Sequence, residues 1–316
     1  MQNTPTVSLL AVTLSSFLAA PLLAQEGSNF QEESRYQDSP SFEDRMAARD
    51  SVLYGKLGFD VASQYFFRGI QQENQGLIFQ PWIELGADIW QSEDEEQDLR
   101  LVFGQWNSTH NGPSAPAGAV WYESRFYAGL ESRLAERWYA GVRLNFYANP
   151  NGAGLISVPG AGARNITEWQ FTTRFDDTGL FSEDFSLQPY ALLAIEASGQ
   201  RDFGNDDGVY LELGIKPEWQ ITELAEAPVT LSVPARIGLG LKDYYERPGV
   251  GGDSDVLGFL QAGAVVDAPL NFLPAAMGPW QGHAGLHLLV LGDNNENLNG
   301  GDTVEIIFEF GMSTSF

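Results

Sequence analysis

The chain has three histidines in which to look for chemistry, His110, His283 and His287. His283 and His287 share one parity of an alternating run, and Glu305 and Glu309 share one parity of the last such run. Two imidazoles with carboxylates nearby are the donor types a transition metal takes. Positions i and i+4 of an extended strand, however, lie ~13 Å apart, too far to share one ion. The spacing favours separate histidines in polar networks. His110 has Ser108 and Ser114 close in sequence, which invites comparison with a nucleophile and its base. As a catalytic pattern this is weak, so no catalytic residue is assigned. The stretches 204–208 and 293–297 have the composition of calcium ligands but no defined loop spacing, and turn chemistry accounts for their Asn, Asp and Gly equally well. Neither metal nor cofactor is assigned.

The remaining chemistry is charge at alternate positions. Lys56, Asp60, Glu84, Asp88, Arg100, Arg125, Arg143, Arg236, His283, His287, Glu305 and Glu309 all lie on the polar parity of runs whose other parity is apolar. Twelve such runs span 53–67, 77–90, 99–109, 121–131, 138–148, 166–175, 185–197, 209–221, 229–241, 256–268, 280–291 and 302–316. In the last, Val304, Ile306, Phe308, Phe310, Met312 and Phe316 oppose Glu305 and Glu309. A period of two with one apolar face is the signature of a strand.

Length decides what kind of sheet this is. The runs are about 10–14 residues, against ~5–6 for strands of soluble domains. Twelve residues tilted near 40° rise about 30 Å, the thickness of a hydrocarbon core. The apolar parity stays almost free of charge, and an Arg or Lys there would cost ~2–4 kcal/mol at mid-bilayer. Aromatics near strand ends (Tyr65, Phe67, Phe79, Tyr122, Trp138, Phe146, Trp169, Trp219, Trp280) are placed as two interfacial girdles would have them. The expected fold is therefore all-β, a transmembrane antiparallel β-barrel of about 12 strands. Pro81, Pro189, Pro217 and Pro234 each remove a ladder donor, so local bulges are expected there.

Residues 7–24 form an apolar run ending in Pro21-Leu22-Leu23-Ala24. This reads as a secretory signal peptide over 1–24, cleaved after Ala24, although its start has no Lys or Arg; a retained anchor is the alternative. Residues 25–50 read as an acidic periplasmic linker with room for a short helix, and 51–316 as the barrel. There is no cysteine, which excludes disulfides and lipoprotein anchoring. A net charge of −25, from 42 acidic and 17 basic side chains, argues against nucleic acid as a partner.

The first hairpin carries a recognisable motif, Gly58-Phe59-Asp60-Val61-Ala62-Ser63-Gln64-Tyr65-Phe66-Phe67-Arg68-Gly69-Ile70-Gln71-Gln72. It resembles the opening of the TorF-type porins, a family of predicted proteobacterial outer-membrane barrels, whose early strand ends in a similar Tyr-x-Phe-Arg-Gly-Ile-x-Gln turn. The resemblance implies porin activity in the Gram-negative outer membrane. Arg68 then either stands at the pore mouth, with Gly69 permitting the turn, or anchors the loop through an ion pair.

The expected function is a channel for passive diffusion of small hydrophilic solutes, mildly favouring cations because the lining is acidic. A barrel whose lumen is plugged by its own charges, serving a structural or adhesive role, is the first alternative. A lipid-modifying barrel enzyme is the second. The partners this implies are outer-membrane lipid and lipopolysaccharide around the barrel, and solutes inside it. The barrel assembly machinery would read the terminal strand through Phe310, Met312 and Phe316.

Overall fold

In a computed structural model of the protein the alternation becomes one closed sheet. The described residues are 53–316 apart from 94–95, 116–117, 153–164, 183–184, 200–206, 225–226 and 247–253. The expected signal peptide and linker, and most of 204–208, lie outside them. The strands, in chain order, are β1 (Leu53–Ala62), β2 (Tyr65–Phe67), β3 (Ile70–Glu73), β4 (Ile78–Gln91), β5 (Asp98–His110) and β6 (Trp121–Ala135). Then come β7 (Trp138–Ala148), β8 (Ile166–Phe175), β9 (Phe185–Ser186), β10 (Tyr190–Ser198), β11 (Val209–Ile215) and β12 (Glu218–Leu224). They end with β13 (Ala227–Ser232), β14 (Ala235–Lys242), β15 (Leu257–Pro269), β16 (Trp280–Leu291) and β17 (Val304–Ser315), and a short helix α1 (Asp293–Leu298) precedes β17.

Fifteen of these strands form a single sheet; β2 and β3 form a separate pair. Three crossings are split in two, at β9/β10, β11/β12 and β13/β14, so the sheet crosses twelve times. β1 pairs with β17 and β14 pairs with β15, which closes it into an antiparallel barrel. The seam is tied to its end: Gly55 N–H donates to Phe316 O at 2.7 Å and Phe316 N–H returns to Gly55 O at 2.8 Å.

The bulges expected at the prolines do not form there; the prolines behave in two other ways. Pro81 remains inside β4, opposite Phe59 of β1. Pro189, Pro217 and Pro234 occupy the three breaks, where a missing N–H ends a ladder. Their carbonyls still accept from the neighbouring crossing, from Phe175, Val233 and Gly263 at 3.0, 2.8 and 2.9 Å.

Burial inverts the usual order of a soluble protein. Phe308 and Phe310 are 59% and 57% exposed on the outside, while Glu309 between them is 4% exposed. Leu286 and Leu288 point out and His287 points in; so do Leu144, Phe146 and Asn145 on β7. An apolar outer belt this continuous requires a non-aqueous neighbour, which lipid supplies.

Candidate functional site

The polar lumen is the site, and its form departs from the expectation in one respect. The first run does not continue along the wall to residue 67. β1 leaves the wall after Ala62, where Ser63 both donates its N–H to Phe308 O and accepts Phe308 N–H on its Oγ, each at 2.9 Å. Gln64 then binds Glu305 at 3.0 Å, and the chain turns inward as the β2–β3 hairpin. Tyr65 through Glu73 are all buried. The two turn residues, Arg68 and Gly69, both have positive φ (50° and 79°), as a two-residue hairpin turn with right-handed twist demands. A Cβ on Gly69 would meet Asn295 Nδ2 at 2.7 Å and Phe259 at 3.0 Å, so the tip is as tight as its backbone is unusual.

Arg68 is buried rather than open at the mouth, and it is anchored by an ion pair, though neither to Glu73 nor to a neighbouring strand. Its guanidinium reaches Glu168 on β8, five strands from β1 in a ring of twelve, and so spans the lumen. The contact is bidentate, Nη1–Oε2 at 2.6 Å and Nη2–Oε1 at 2.9 Å. Nη1 also donates to the Tyr244 hydroxyl at 2.8 Å, and the Tyr210 ring lies 4.3 Å from the guanidinium carbon. Glu168 Oε1 is held independently by Tyr147 OH at 3.1 Å and Gln170 Nε2 at 2.7 Å. Tyr245 OH donates to the Arg68 carbonyl at 3.0 Å.

A second set of bonds holds the base of the hairpin. Glu73 accepts the backbone N–H groups of Asn74, Gln75 and Ser114, each at 3.0 Å, and the Ser114 hydroxyl at 2.7 Å. Ser114 Oγ meets His110 Nδ1 at 2.6 Å, and His110 Nε2 meets Ser108 Oγ at 2.6 Å. With the Ser114 proton on Glu73, the Ser114 oxygen must accept from His110 Nδ1–H, which leaves Nε2 to accept from Ser108. His110 stacks on Tyr122, whose hydroxyl donates to Gln72 at 2.7 Å. Gln71 donates to Asn299, beyond α1.

The other sequence-predicted lumen residues face inward and find partners. Arg100 binds Asp88 at 2.6 Å, and Arg143 lies between Glu131 and Glu84, the latter at 3.3 Å. Arg125 meets Glu123 at 3.4 Å and Arg236 meets Glu212 at 3.1 Å. Asp60 sits 3.1 Å from His283, and Glu309 2.8 Å from His287, so the two histidines serve different carboxylates. Lys56, opposite Glu84 on β4, is half-buried; Asp88 is exposed near the strand end; Glu305 sits at the loop end, binding Gln64 and Asn299. Phe310 and Phe316 face outward, as the apolar parity requires.

Three girdle aromatics are corrected by the fold. Tyr65, Phe67 and Tyr122 are 1–2% exposed inside the lumen, because the hairpin carries the first two inward and Tyr122 packs against it. The stretch 293–297 forms α1 rather than a turn, and its Asn294 and Asn295 bind the carbonyls of Tyr245 and Gly258 at 2.8 and 3.0 Å. Tyr244 and Tyr245 were not among the expected site residues. The signal that could have found the hairpin is Tyr65-Phe66-Phe67, where apolar residues occupy both parities and alternation stops. A small cavity of about 20 Å³ lies among Asp98, Arg100, Glu131, Tyr139, Arg174 and Tyr190, room for a water molecule.

No protein-family model and no curated protein matches the chain. Solved structures similar to it are outer-membrane barrels. An outer-membrane channel from Pseudomonas putida F1 superposes with a TM-score of 0.45 at 11% identity, over 84% of this chain and 95% of that one. The NanC porin gives 0.39 at 9%, over 83% and 98%. The β domain of the Bordetella autotransporter BrkA gives 0.41 at 13%, also over 83% and 98%.

Proposed function

We propose that this protein is an outer-membrane channel for small hydrophilic solutes, favouring cations, that rests closed with the β2–β3 hairpin in its lumen. The observation that carries the reading is the separateness of the obstruction. The hairpin forms its own two-stranded sheet and is held in the lumen largely by side chains, whereas the wall is one closed ladder that does not depend on it. A charged lining behind a removable element is what a gated aqueous path needs. The protein would be exported by its N-terminal segment, inserted by the barrel assembly machinery and surrounded by lipid and lipopolysaccharide.

Burial of most lumen charges supports a second reading, a structural or adhesive barrel whose plug never leaves. The enzyme reading is the least supported. Ser108 and His110 are hydrogen-bonded as a nucleophile and base would be, but Ser108 is covered by the hairpin that supplies Glu73. Withdrawing the hairpin to admit a substrate would remove the acid, so the array works better as a latch.

Planar-bilayer conductance decides among these. The purified, heat-modifiable barrel and a variant with residues 65–73 replaced by a short Gly-Ser turn are compared in a KCl gradient. The channel reading expects low or flickering conductance for the first and a large, cation-selective one for the second. A folded variant that conducts no more than bare lipid would refute it.

A further inference from the structure

Arg68 sits at a backbone position that favours glycine, and a glycine follows it. Two-residue hairpin turns of this kind ordinarily use Asn-Gly, Asp-Gly or Gly-Gly, which adopt positive φ without strain. An arginine held there against its backbone preference is there for its side chain. That side chain enters a cage assembled by three elements of the barrel: Glu168 from β8, Tyr210 from β11 and Tyr244 from the loop after β14. Phe67, 4.9 Å from the guanidinium carbon, comes from the hairpin itself.

The cage is built for the headgroup rather than for the hairpin. Glu168 is held by Tyr147 and Gln170 through Oε1, so the carboxylate keeps an anchor of its own when Arg68 is taken away. Its register neighbour on β10 is a second carboxylate, Glu196, and both are buried. Of the wall arginines, Arg125 pairs with Glu123 and acts on Glu168 only at longer range than the bidentate Arg68, and Arg236 pairs with Glu212. A desolvated carboxylate beside another carboxylate strongly disfavours standing without a cation. A flat, forked cation suits this one best, because the bidentate edge of Glu168 and the face of Tyr210 together match a guanidinium and not an ammonium.

We infer that the Glu168–Tyr210–Tyr244 cage is a binding site for solutes bearing a guanidinium group, occupied at rest by the chain's own Arg68 as a tethered ligand. For the route by which a free solute reaches the site the inference rests on the channel reading; for binding itself it does not. The hairpin tip and the solute compete for one carboxylate, so a bound solute and a docked hairpin exclude each other.

The test vacates the site without straining the turn. Arg68→Gly is refolded in detergent and titrated with millimolar methylguanidinium, using thermal midpoint and tyrosine fluorescence as readouts. The expected result is a saturable response in Arg68→Gly, at least tenfold weaker with methylammonium, absent in the natural chain and absent in Arg68→Gly/Glu168→Gln. No response in Arg68→Gly, an equal response to methylammonium, or a response that survives Glu168→Gln overturns the site. If Arg68→Gly does not fold, Arg68→Lys keeps the cation and loses the fork. Methylguanidinium should then displace the lysine and give the same signal, and silence overturns the inference. Conductance separates the two proposals. A variant that binds methylguanidinium but never conducts refutes the channel and keeps the site. One that conducts, with no binding and no block by methylguanidinium, refutes the site and keeps the channel.

Discussion

The wall formed by β16 and β17 and the hairpin formed by β2 and β3 are built from the same chemistry under opposite boundary conditions. In the wall each residue has one neighbourhood on either side of the sheet, lipid or lumen, so Phe308 and Glu309 alternate out and in. The hairpin has no outside. Tyr65, Phe66 and Phe67 are all buried, and so are Arg68, Gln71, Gln72 and Glu73 beside them. Polarity in the wall is decided by parity; in the hairpin it is decided residue by residue, according to which partner the lumen wall presents.

The sharpest way to break that contrast is to remove the partner of the hairpin tip. In Glu168→Ala, Arg68 becomes an uncompensated buried charge, a loss of about 3–5 kcal/mol. The hairpin can escape it by leaving the lumen, and the wall cannot respond in that way. Trypsin should then cleave after Arg68 while the barrel stays heat-modifiable in gel electrophoresis. An uncleaved Arg68 at full barrel stability would mean that the tip is held by Tyr244, Tyr245 and α1 alone.

The converse attack is on the wall. Phe308→Arg puts a cation on the outer face between Ile306 and Phe310, with an expected loss of about 2–4 kcal/mol toward mid-bilayer and less near an interface. Urea unfolding from lipid vesicles would measure it. The hairpin should remain protected from trypsin until the barrel itself unfolds. Loss of protection at lower urea would show that hairpin and wall are not separable.

Ser114→Ala acts on the hairpin's base and should be milder. Glu73 keeps three backbone donors, but His110 Nδ1 loses its acceptor in a buried place, at about 1–3 kcal/mol. Partial trypsin sensitivity after Arg68 is the expected readout. If Ser114→Ala were as labile as Glu168→Ala, the relay rather than the tip would be the main latch.

How legible all this was in the sequence follows from the same contrast. The twelve crossings, the lipid face and the inward charges could be read because alternation survives wherever a strand has two unlike sides. The pairing of Arg100 with Asp88 joins neighbouring strands and that of His283 with Asp60 reaches across β17, and both depend on a register that period alone does not supply. Arg68–Glu168 was beyond reach for another reason. Its partners are 100 residues apart and meet across the lumen, with no ladder between them to fix the pairing. The motif around Arg68 was visible, and its side chain's place was not. Pro189, Pro217 and Pro234 are legible as lost ladder donors, but that they break three adjacent crossings rather than bulge them follows only from the strand order.

An effect on stability of the same order as that of Ser114→Ala lies at the seam, away from the hairpin. Deleting Phe316 removes the two backbone bonds to Gly55, about 0.5–1.5 kcal/mol each, together with an aromatic ring packed over a glycine that leaves it room. The rest of the β1–β17 ladder, from Lys56 opposite Ser315 to Ala62 opposite Glu309, stays intact. A barrel lacking Phe316 should therefore still refold in detergent, with its thermal midpoint lowered by roughly several degrees, and its hairpin should stay docked, since the bonds that hold the tip and base of β2–β3 do not involve Phe316. Insertion in cells should fall much further if Phe310, Met312 and Phe316 form the terminal signal for assembly. Comparing the membrane yield of the deletion with its refolding yield isolates that role. Equal losses in both would assign Phe316 to barrel closure alone.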